Sequence, residues 1–356
     1  MSGSSIFLLG AAGYIAGQLL VSLAAEYPSF AIRALDKDLS PSKVKQLQSF
    51  HPKLEVIEGY LADVNMIEAE AKKADIVINV SLVSDMDSIN AILRGLKQRG
   101  SSGSLSTPIY IHMMGTGLLG DDAFGEFFAP RHIWKSTSKA IGLGSNACEL
   151  IVEASKTGFV RTMIALPGLI YGVGPGLQRV SLPQRVFLNL ASLTGHVGTF
   201  GPGRNVMNFV HLKDVASAML AMLNGALEGK NMSEGENGFY FIASKYMISI
   251  SDLGTIMGDV NAFQPRAYLK SQADPILTQV VEKVGPLEHA SVRIVASAIM
   301  SSNQFCRAER LAKEFGWSPR YTESESFFES IPREVEVCVK DLGLEAAFKD
   351  AKARSM

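Results

Sequence analysis

The sequence predicts an α/β fold in which helices cover both faces of a doubly wound parallel sheet. Three observations lead to this prediction. Apolar segments of strand length alternate with helical segments along the first half of the chain. The first strand runs directly into a glycine-rich turn that opens a helix. An acidic residue, Asp36, ends the second strand about twenty residues after that turn, at the spacing found in dinucleotide-binding folds.

The glycine turn follows the apolar strand Ile6–Leu9 and begins the first helix. Gly10 permits a tight turn, and Gly13 lets the backbone approach a phosphate group. The helix then presents the backbone N–H groups of its first residues, Tyr14 and Ile15, together with the positive end of its dipole. These features together predict a site for the pyrophosphate of a dinucleotide.

The remaining elements follow the same alternation. Further strands are predicted at 30–35, 54–58, 74–80, 108–114, 159–166 and 239–242, with helices at 40–49, 88–99, 146–155 and 215–226. The pattern loosens after residue 170. We therefore expect a dinucleotide-binding core at 1–170, and a mixed segment at 171–356 that forms a small C-terminal substrate lobe and returns elements to the core.

Ligands of such sheets bind beyond the carboxyl ends of the strands. Asp36 lies at that edge, where its carboxylate would bind the adenosine ribose hydroxyls and repel a 2′-phosphate, so NAD is favoured. Arg33 and Lys37 flank it and would tolerate NADP. The alternative is that Asp36 only starts a turn. The other residues predicted to bind the cofactor follow the third and fourth strands, namely Asp63, Val80 and Ser81.

Composition limits the function classes. The chain has 356 residues and a net charge of −1, which does not favour nucleic-acid binding. Its three cysteines are scattered, so we expect a reducing compartment and no metal site. The almost uncharged stretch 5–25 resembles a signal peptide or a membrane helix, but a buried strand and helix explain it better, since no Lys or Arg precedes it and glycines interrupt it. We expect a cytoplasmic protein with no membrane partner.

Several motifs, taken in order, resemble those of the extended short-chain dehydrogenases/reductases, the group of NAD-dependent epimerases and dehydratases. The closest likeness is to a fungal branch of epimerase-like proteins. The resemblance implies a Rossmann-like core, a bound NAD(P) and pairing of two copies through helices. It spans nearly the whole chain and rests on four stretches, which are the glycine turn with Asp36, the segment 166–172, the segment 203–214 and the segment 315–319.

The family's catalytic Ser/Thr, Tyr and Lys set is incomplete here. Counting back from Pro167, which matches a family proline, places Ser145 at the lysine position and Ile141 at the tyrosine position. No Tyr-x-x-x-Lys pattern occurs anywhere in the chain. The family serine falls on Gly115, or on Thr116 with one residue of slack. An isoleucine cannot transfer a proton, so the usual acid/base pair is lost.

Replacement chemistry is predicted in the loop after the fifth strand. His132 titrates near neutrality, and Lys135 and Lys139 would share a face if the segment is helical. The alternative is a solvated basic loop. Asp85 and Asp87 follow the fourth strand, where we expect a helix cap rather than an acid/base pair.

These observations leave three functions open. The first is an atypical NAD(P)-binding enzyme of secondary metabolism that acts on an apolar small molecule without net redox, as an isomerase, cyclase or dehydratase. Its polar groups would be Thr116, Lys135 and His132, in a pocket made apolar by Met113 and Met114. The second is a catalytically silent dinucleotide-binding sensor or scaffold. The third is a reductase or epimerase whose acid/base has moved. A fold that has lost its cofactor also stays open.

Overall fold

The computed structural model describes residues 3–81, 84–99, 107–121, 123–129, 133–135, 145–261, 265–268 and 300–348. The strands in this part of the chain are β1 (Ser5–Leu9), β2 (Ala31–Asp36), β3 (Leu54–Glu58), β4 (Ile76–Asn79), β5 (Ile109–Met113), β6 (Trp134–Lys135), β7 (Arg161–Pro167), β8 (Leu169–Tyr171), β9 (Val197–Phe200), β10 (Val206–His211), β11 (Phe239–Ile242), β12 (Met247–Ser249), β13 (Pro265–Tyr268) and β14 (Cys306–Arg307). Seven of them form one parallel sheet in the order β11-β7-β5-β4-β1-β2-β3. The predicted doubly wound α/β fold is confirmed.

Helices cover both faces of this sheet. The α-helices in the described part of the chain are α1 (Tyr14–Glu26), α2 (Pro41–Gln48), α3 (Val64–Lys73), α4 (Met86–Gln98), α5 (Asn146–Lys156), α6 (Leu182–Thr194), α7 (Leu212–Leu227), α8 (Ile250–Asn261), α9 (Glu309–Phe315), α10 (Arg320–Ser324) and α11 (Phe327–Asp341). The apolar faces of α1 and α7 join one core cluster, and those of α3, α4 and α5 join another.

The first strand shows why the sheet is buried on both sides. Successive side chains of a strand point to opposite faces. Ile6 and Leu8 therefore join the cluster under α1 and α7, while Phe7 and Leu9 join the one under α3 and α4. A strand covered on both faces needs a continuous apolar sequence, which is what the sequence provides here.

A smaller layer of strands forms beside the sheet from later parts of the chain. Its strands pair as β12-β10-β8, β13-β9 and β14-β6. Strands β8, β9, β10 and β12 pack with α6, α8 and α11 around a separate apolar cluster that contains Phe187, Phe209 and Phe327, whereas Cys306 of β14 joins the cluster under α3, α4 and α5. The later segment also returns β11 and α7 to the main sheet. The division at residue 170 itself stays a prediction.

The order of the strands shows at which edge of the sheet a ligand would bind. It reverses between β1 and β4, and in doubly wound sheets the crevice at such a reversal binds the ligand. Gly10 follows β1 there and Ser81 follows β4.

Next to this edge, the Asp85 carboxylate accepts a hydrogen bond from Ser88 N at 2.8 Å. The expected helix cap is therefore present, and α4 begins at Met86.

Candidate cofactor-binding site

The glycine turn has the geometry that its sequence predicts. Gly10 lies in the left-handed region at φ +88°, and a Cβ atom there would lie 3.0 Å from the backbone of Ser81. Gly13 is the N-cap of α1 and makes no side-chain cap. The first N–H groups of a helix have no partner within it, and those of Tyr14 and Ile15 lie at the start of α1, directly after the turn that follows β1. The turn is open to an anion.

Asp36 is held against this turn. One carboxylate oxygen accepts a hydrogen bond from Ala12 N at 2.6 Å, and the other accepts one from Lys37 N at 2.8 Å. Burial raises the pKa of Asp36, while the two backbone donors oppose that shift. The carboxylate is still partly exposed, so it is fixed in direction and retains lone pairs for a ligand hydroxyl.

The basic residues beside Asp36 are already engaged. Arg33 pairs with Glu70 of α3 at 2.5 Å and with Glu55 of β3 at 2.6 Å, which directs its guanidinium toward these two elements. Lys37 lies over the ring of Tyr60, with its Nζ 5.4 Å from the ring centroid. Arg33 is therefore already paired with two carboxylates, and its expected tolerance of a 2′-phosphate stays a prediction.

Tyr60 is a residue that sequence reasoning missed. Its ring is 48% exposed at the carboxyl end of β3, and its hydroxyl donates to Asp38 at 2.6 Å. Asp63, which we predicted as a cofactor ligand, accepts from Tyr60 N at 2.7 Å and makes no side-chain cap to α3. The Asp63 carboxylate therefore orders the Tyr60 loop.

Val80 and Ser81 line the other wall of the crevice. Val80 N donates to Leu9 O at 3.2 Å, which continues the β1–β4 pairing. Ser81 donates from both its hydroxyl and its backbone N to Asn79 Oδ1, at 2.6 and 3.1 Å. These bonds fix Ser81 directly beside Gly10, where the sequence placed it.

The Tyr14 side chain points away from the crevice. It is buried, and its hydroxyl donates to Gly172 O in the loop after β8. In the next turn of α1, a Cβ atom on Gly17 would lie 2.4 Å from Gly176 Cα. The loop 172–176 thus packs on the back of α1, and only the backbone of Tyr14 remains for a cofactor.

Thr116, the first of the predicted catalytic residues, is buried against Gln304. Thr116 begins a short 3-10 helix after β5 and is 3% exposed, and its hydroxyl donates to Gln304 Oε1 at 2.7 Å. Gln304 is a second residue that the sequence did not reveal. Its amide covers the hydroxyl at the edge of the sheet where we predicted catalysis.

A Thr116→Val substitution tests which role Thr116 has. We expect the free energy of unfolding to fall by about 1 kcal/mol, since Gln304 loses one donor, and NADH affinity to change less than about twofold. Chemical denaturation and fluorescence titration measure the two effects. Thr116→Ser, which keeps the hydroxyl, serves as the control. A roughly tenfold loss of NADH affinity would instead place Thr116 against the cofactor.

The predicted basic loop is described only in part. Lys135 lies in β6, which pairs in parallel with Cys306–Arg307 of β14. We predicted that Lys135 and Lys139 would share a face if this segment were helical. That prediction is wrong for Lys135, because Lys135 lies in a strand. His132, Lys139 and Ile141 lie outside the described residues. Ser145, at the family lysine position, is the N-cap of α5 and accepts from Cys148 N.

Other polar residues of the sheet are structural in their contacts. His112 is fully buried in β5 and its Nδ1 lies 2.8 Å from the Tyr110 hydroxyl.

The described residues contain no cluster of His, Cys, Asp and Glu that would hold a metal ion. Within the same part of the chain, no helix is both long and apolar enough to cross a membrane.

Comparisons with known proteins point to one group. No protein-family model matches the chain. A fungal relative, the oxidase ucsJ of an Acremonium species, is 24% identical over 345 residues, which cover 88% of this chain and 92% of that protein. The human dTDP-D-glucose 4,6-dehydratase is 24% identical over 255 residues, 65% of this chain and 69% of that protein.

Solved structures agree with these relatives. The dTDP-glucose 4,6-dehydratase DesIV of Streptomyces venezuelae, with NAD and TYD bound, superposes with a TM-score of 0.68 at 14% identity, covering 96% of this chain and 99% of that one. The UDP-glucuronic acid 4-epimerase of Bacillus cereus, in a mutant form with NAD bound, gives a TM-score of 0.64 at 13% identity, covering 94% and 99%. The chain therefore has the fold of the extended short-chain dehydrogenases/reductases, the fold of these dehydratases and epimerases.

Proposed function

We propose that the protein is an NAD-binding enzyme of the dehydratase and epimerase type. The observation that carries the proposal is the Asp36 carboxylate, fixed by Ala12 N and Lys37 N beside the glycine turn. Gly10 and Gly13 leave room for a pyrophosphate, and the open start of α1 supplies donors and positive potential. NAD, when bound, supplies hydride transfer. Structural neighbours that hold NAD support the same cofactor.

The proposed substrate is an apolar small metabolite. Met113 ends β5 and Met114 follows it, and Leu166 and Pro167 end β7, so these residues at the strand ends carry no charge. Arg161 lies at the opposite end of β7, where it pairs with Glu234. A nucleotide-sugar diphosphate needs cations close to its phosphates. The uncharged strand ends support a less polar substrate.

We further propose a reaction without net redox, as in an isomerase, cyclase or dehydratase. Two relatives named as dehydratases support this class, whereas the fungal relative named an oxidase favours the third possibility, a redox reaction with a moved acid/base. The chain offers no Tyr-x-x-x-Lys pair for proton transfer. His132 and Lys135 remain the candidates for that role.

A catalytically silent sensor is the second candidate, and one contact favours it. The Thr116 hydroxyl is buried and donates its proton to Gln304 in this conformation. An enzyme would have to move Gln304 before Thr116 could donate that proton to a substrate. A sensor would keep this contact whether or not the cofactor is bound.

Cofactor selectivity tests the proposal. We expect the wild-type protein to bind NADH more tightly than NADPH, because the Asp36 carboxylate repels a 2′-phosphate. Asp36→Asn should weaken NADH binding by about tenfold and strengthen NADPH binding, since a charged hydrogen bond contributes about 1.5–3 kcal/mol. Fluorescence titration with both nucleotides measures these constants.

Asp38→Asn is the matched control for Asp36→Asn. Asp38 lies two positions away and bonds the Tyr60 hydroxyl instead of the glycine turn, so its substitution should leave the NADH-to-NADPH preference unchanged. Equal affinity of the wild-type protein for both nucleotides, or an unchanged preference in Asp36→Asn, would contradict the assignment. Absence of binding to either nucleotide would mean that the fold has lost its cofactor.

A further inference from the structure

A cavity of about 510 Å³ opens where β11 ends and β12 begins. Its walls are formed by the loop 243–247, the segment 305–309, the Trp317–Pro319 turn, Asn208 of β10, Ile133, Ala312 of α9 and Glu323 of α10. Cavities that bind small molecules commonly measure about 300–1,000 Å³. This cavity therefore has room for a ligand of moderate size.

The walls of the cavity are mainly apolar. Tyr246 and Phe305 supply rings, Trp317 forms part of the floor, and Met247 lies at the side with half of its surface exposed. Phe127 extends this apolar surface outward. Its ring lies edge-to-face against that of Phe305, and the two ring centroids are 6.4 Å apart. An exposed group of aromatic and methionine side chains around one cavity is typical of a binding site.

The polar groups of the floor are engaged in structural bonds. Asn208 donates to Ser244 O and accepts from Cys306 N, both at 3.0 Å. The Ser244 hydroxyl donates to Phe209 O at 2.7 Å. Burial raises the pKa of the Cys306 thiol to about 12, so the thiol stays neutral and unreactive near neutral pH. The floor therefore offers apolar contact and no charge.

The charges of the cavity lie at its rim and balance. Lys245 and Arg307 are positive, and Glu309 and Glu323 are negative. Arg307 faces Glu309 at 3.8 Å, and Lys245 lies over the ring of Tyr246. An ion entering the cavity would lose hydration without meeting an unbalanced charge of opposite sign. The rim therefore favours a neutral ligand.

The cavity is separate from the edge of the sheet where Thr116 lies. Gln304 directs its side chain to Thr116, while the next residue, Phe305, lines the cavity. Neighbouring side chains of an extended segment point to opposite sides. Gln304 N also bonds Val206 O, which holds this segment as a wall between the two spaces.

We propose that this cavity is a second binding site, for a neutral and largely apolar molecule that carries an aromatic or fused ring system. Ring contacts with Tyr246, Phe305 and Trp317 would provide most of the affinity, and the balanced rim would exclude anions. This inference does not depend on the proposed cofactor or reaction.

The neutral dye Nile red is a direct probe of the site. We expect its fluorescence to rise on titration into the full-length protein with one saturable site and a Kd of about 1–10 μM. Met247→Glu, which places a charge against the apolar wall, should weaken binding at least about tenfold. Ala312→Phe, which fills part of the cavity from α9 without adding charge, should have a similar effect.

Phe328→Glu is the matched control, because Phe328 is 59% exposed on α11 and does not line the cavity. Dye affinity should be unchanged in this variant. Saturating NADH should not displace the dye, and all variants should keep the NADH affinity of the wild type. The anionic dye anilinonaphthalene sulfonate should bind more weakly than Nile red.

Four results of the binding measurements would overturn the proposal. They are no saturable Nile red binding, binding that Met247→Glu and Ala312→Phe leave intact, displacement of the dye by NADH, and equal affinity for the anionic dye. A change of oligomeric state in Met247→Glu, measured by sedimentation, would also overturn it, because the surface would then be an interface between copies. Loss of NADH binding in the wild type would affect only the proposed function.

Discussion

A Gly13→Asp substitution is expected to reduce NADH affinity at least about 100-fold, or about 2.7 kcal/mol, while the protein stays folded. Gly13 is the N-cap of α1, in an extended conformation with φ −71° and ψ 162°, and it makes no side-chain cap. Aspartate is among the preferred N-cap residues, so the helix itself should be stabilised. The new carboxylate would accept the N–H groups that a pyrophosphate needs and would repel its charge.

Gly13→Asn separates charge from size. Both side chains would place a Cβ atom 3.0 Å from Gly10 O, and both can cap the helix, but only aspartate adds a negative charge. We expect the asparagine variant to keep more of the NADH affinity. Calorimetric titration gives the binding constants and a thermal melt confirms folding. NADH affinity unchanged in a folded Gly13→Asp protein would refute the cofactor site.

The positions of Gly13 and Asp36 beside each other could be predicted because they depend on local sequence. A strand, a glycine turn and an acidic strand end occur within the first two strands, and the sheet fixes their relation. Ser81 follows from the same rule, since β4 pairs with β1 and the two strands end at one edge. For these residues, alternation of strands and helices was enough to define the neighbours.

The contacts of Thr116 and Lys135 could not be predicted in this way. Thr116 meets Gln304, which is 188 positions away, and Lys135 pairs with a strand at Cys306–Arg307. A spacing of four residues suggested a helix face for Lys135, yet pairing with a distant segment decides its conformation. Arg33 likewise meets Glu70 across 37 positions. Such contacts depend on how the later segment returns to the sheet.

The burial of Glu334 is the contact that was hardest to predict, since nothing in its local sequence distinguishes it from an exposed helical glutamate. It lies on α11 with no solvent exposure, and its Oε1 accepts bonds from Gly172 N at 2.7 Å and the Ser330 hydroxyl at 2.8 Å. The same Gly172 accepts the Tyr14 hydroxyl through its carbonyl, so Glu334 supports the loop behind the glycine turn.

Burial raises the pKa of Glu334 from 4.5 to about 7, against the opposing effect of Gly172 N–H and Ser330. Between these values the folded protein keeps the proton that the unfolded chain releases. The contribution of Glu334 to stability is therefore full below pH 4.5 and is lost as the pH rises to about 7. A shift of this size corresponds to about 3 kcal/mol.

Glu334→Gln should remove this dependence, because glutamine resembles the protonated acid and retains an acceptor for Gly172 N. We expect its free energy of unfolding to lie close to that of the wild type near pH 4.5 and to exceed it by about 3 kcal/mol above pH 7. Urea denaturation across this pH range measures the difference. The control Glu336→Gln changes an exposed carboxylate on the same helix, and its stability should follow the wild type at every pH. A difference between wild type and Glu334→Gln that is constant with pH would show that Glu334 is ionised throughout, and that Gly172 is held by a charged carboxylate.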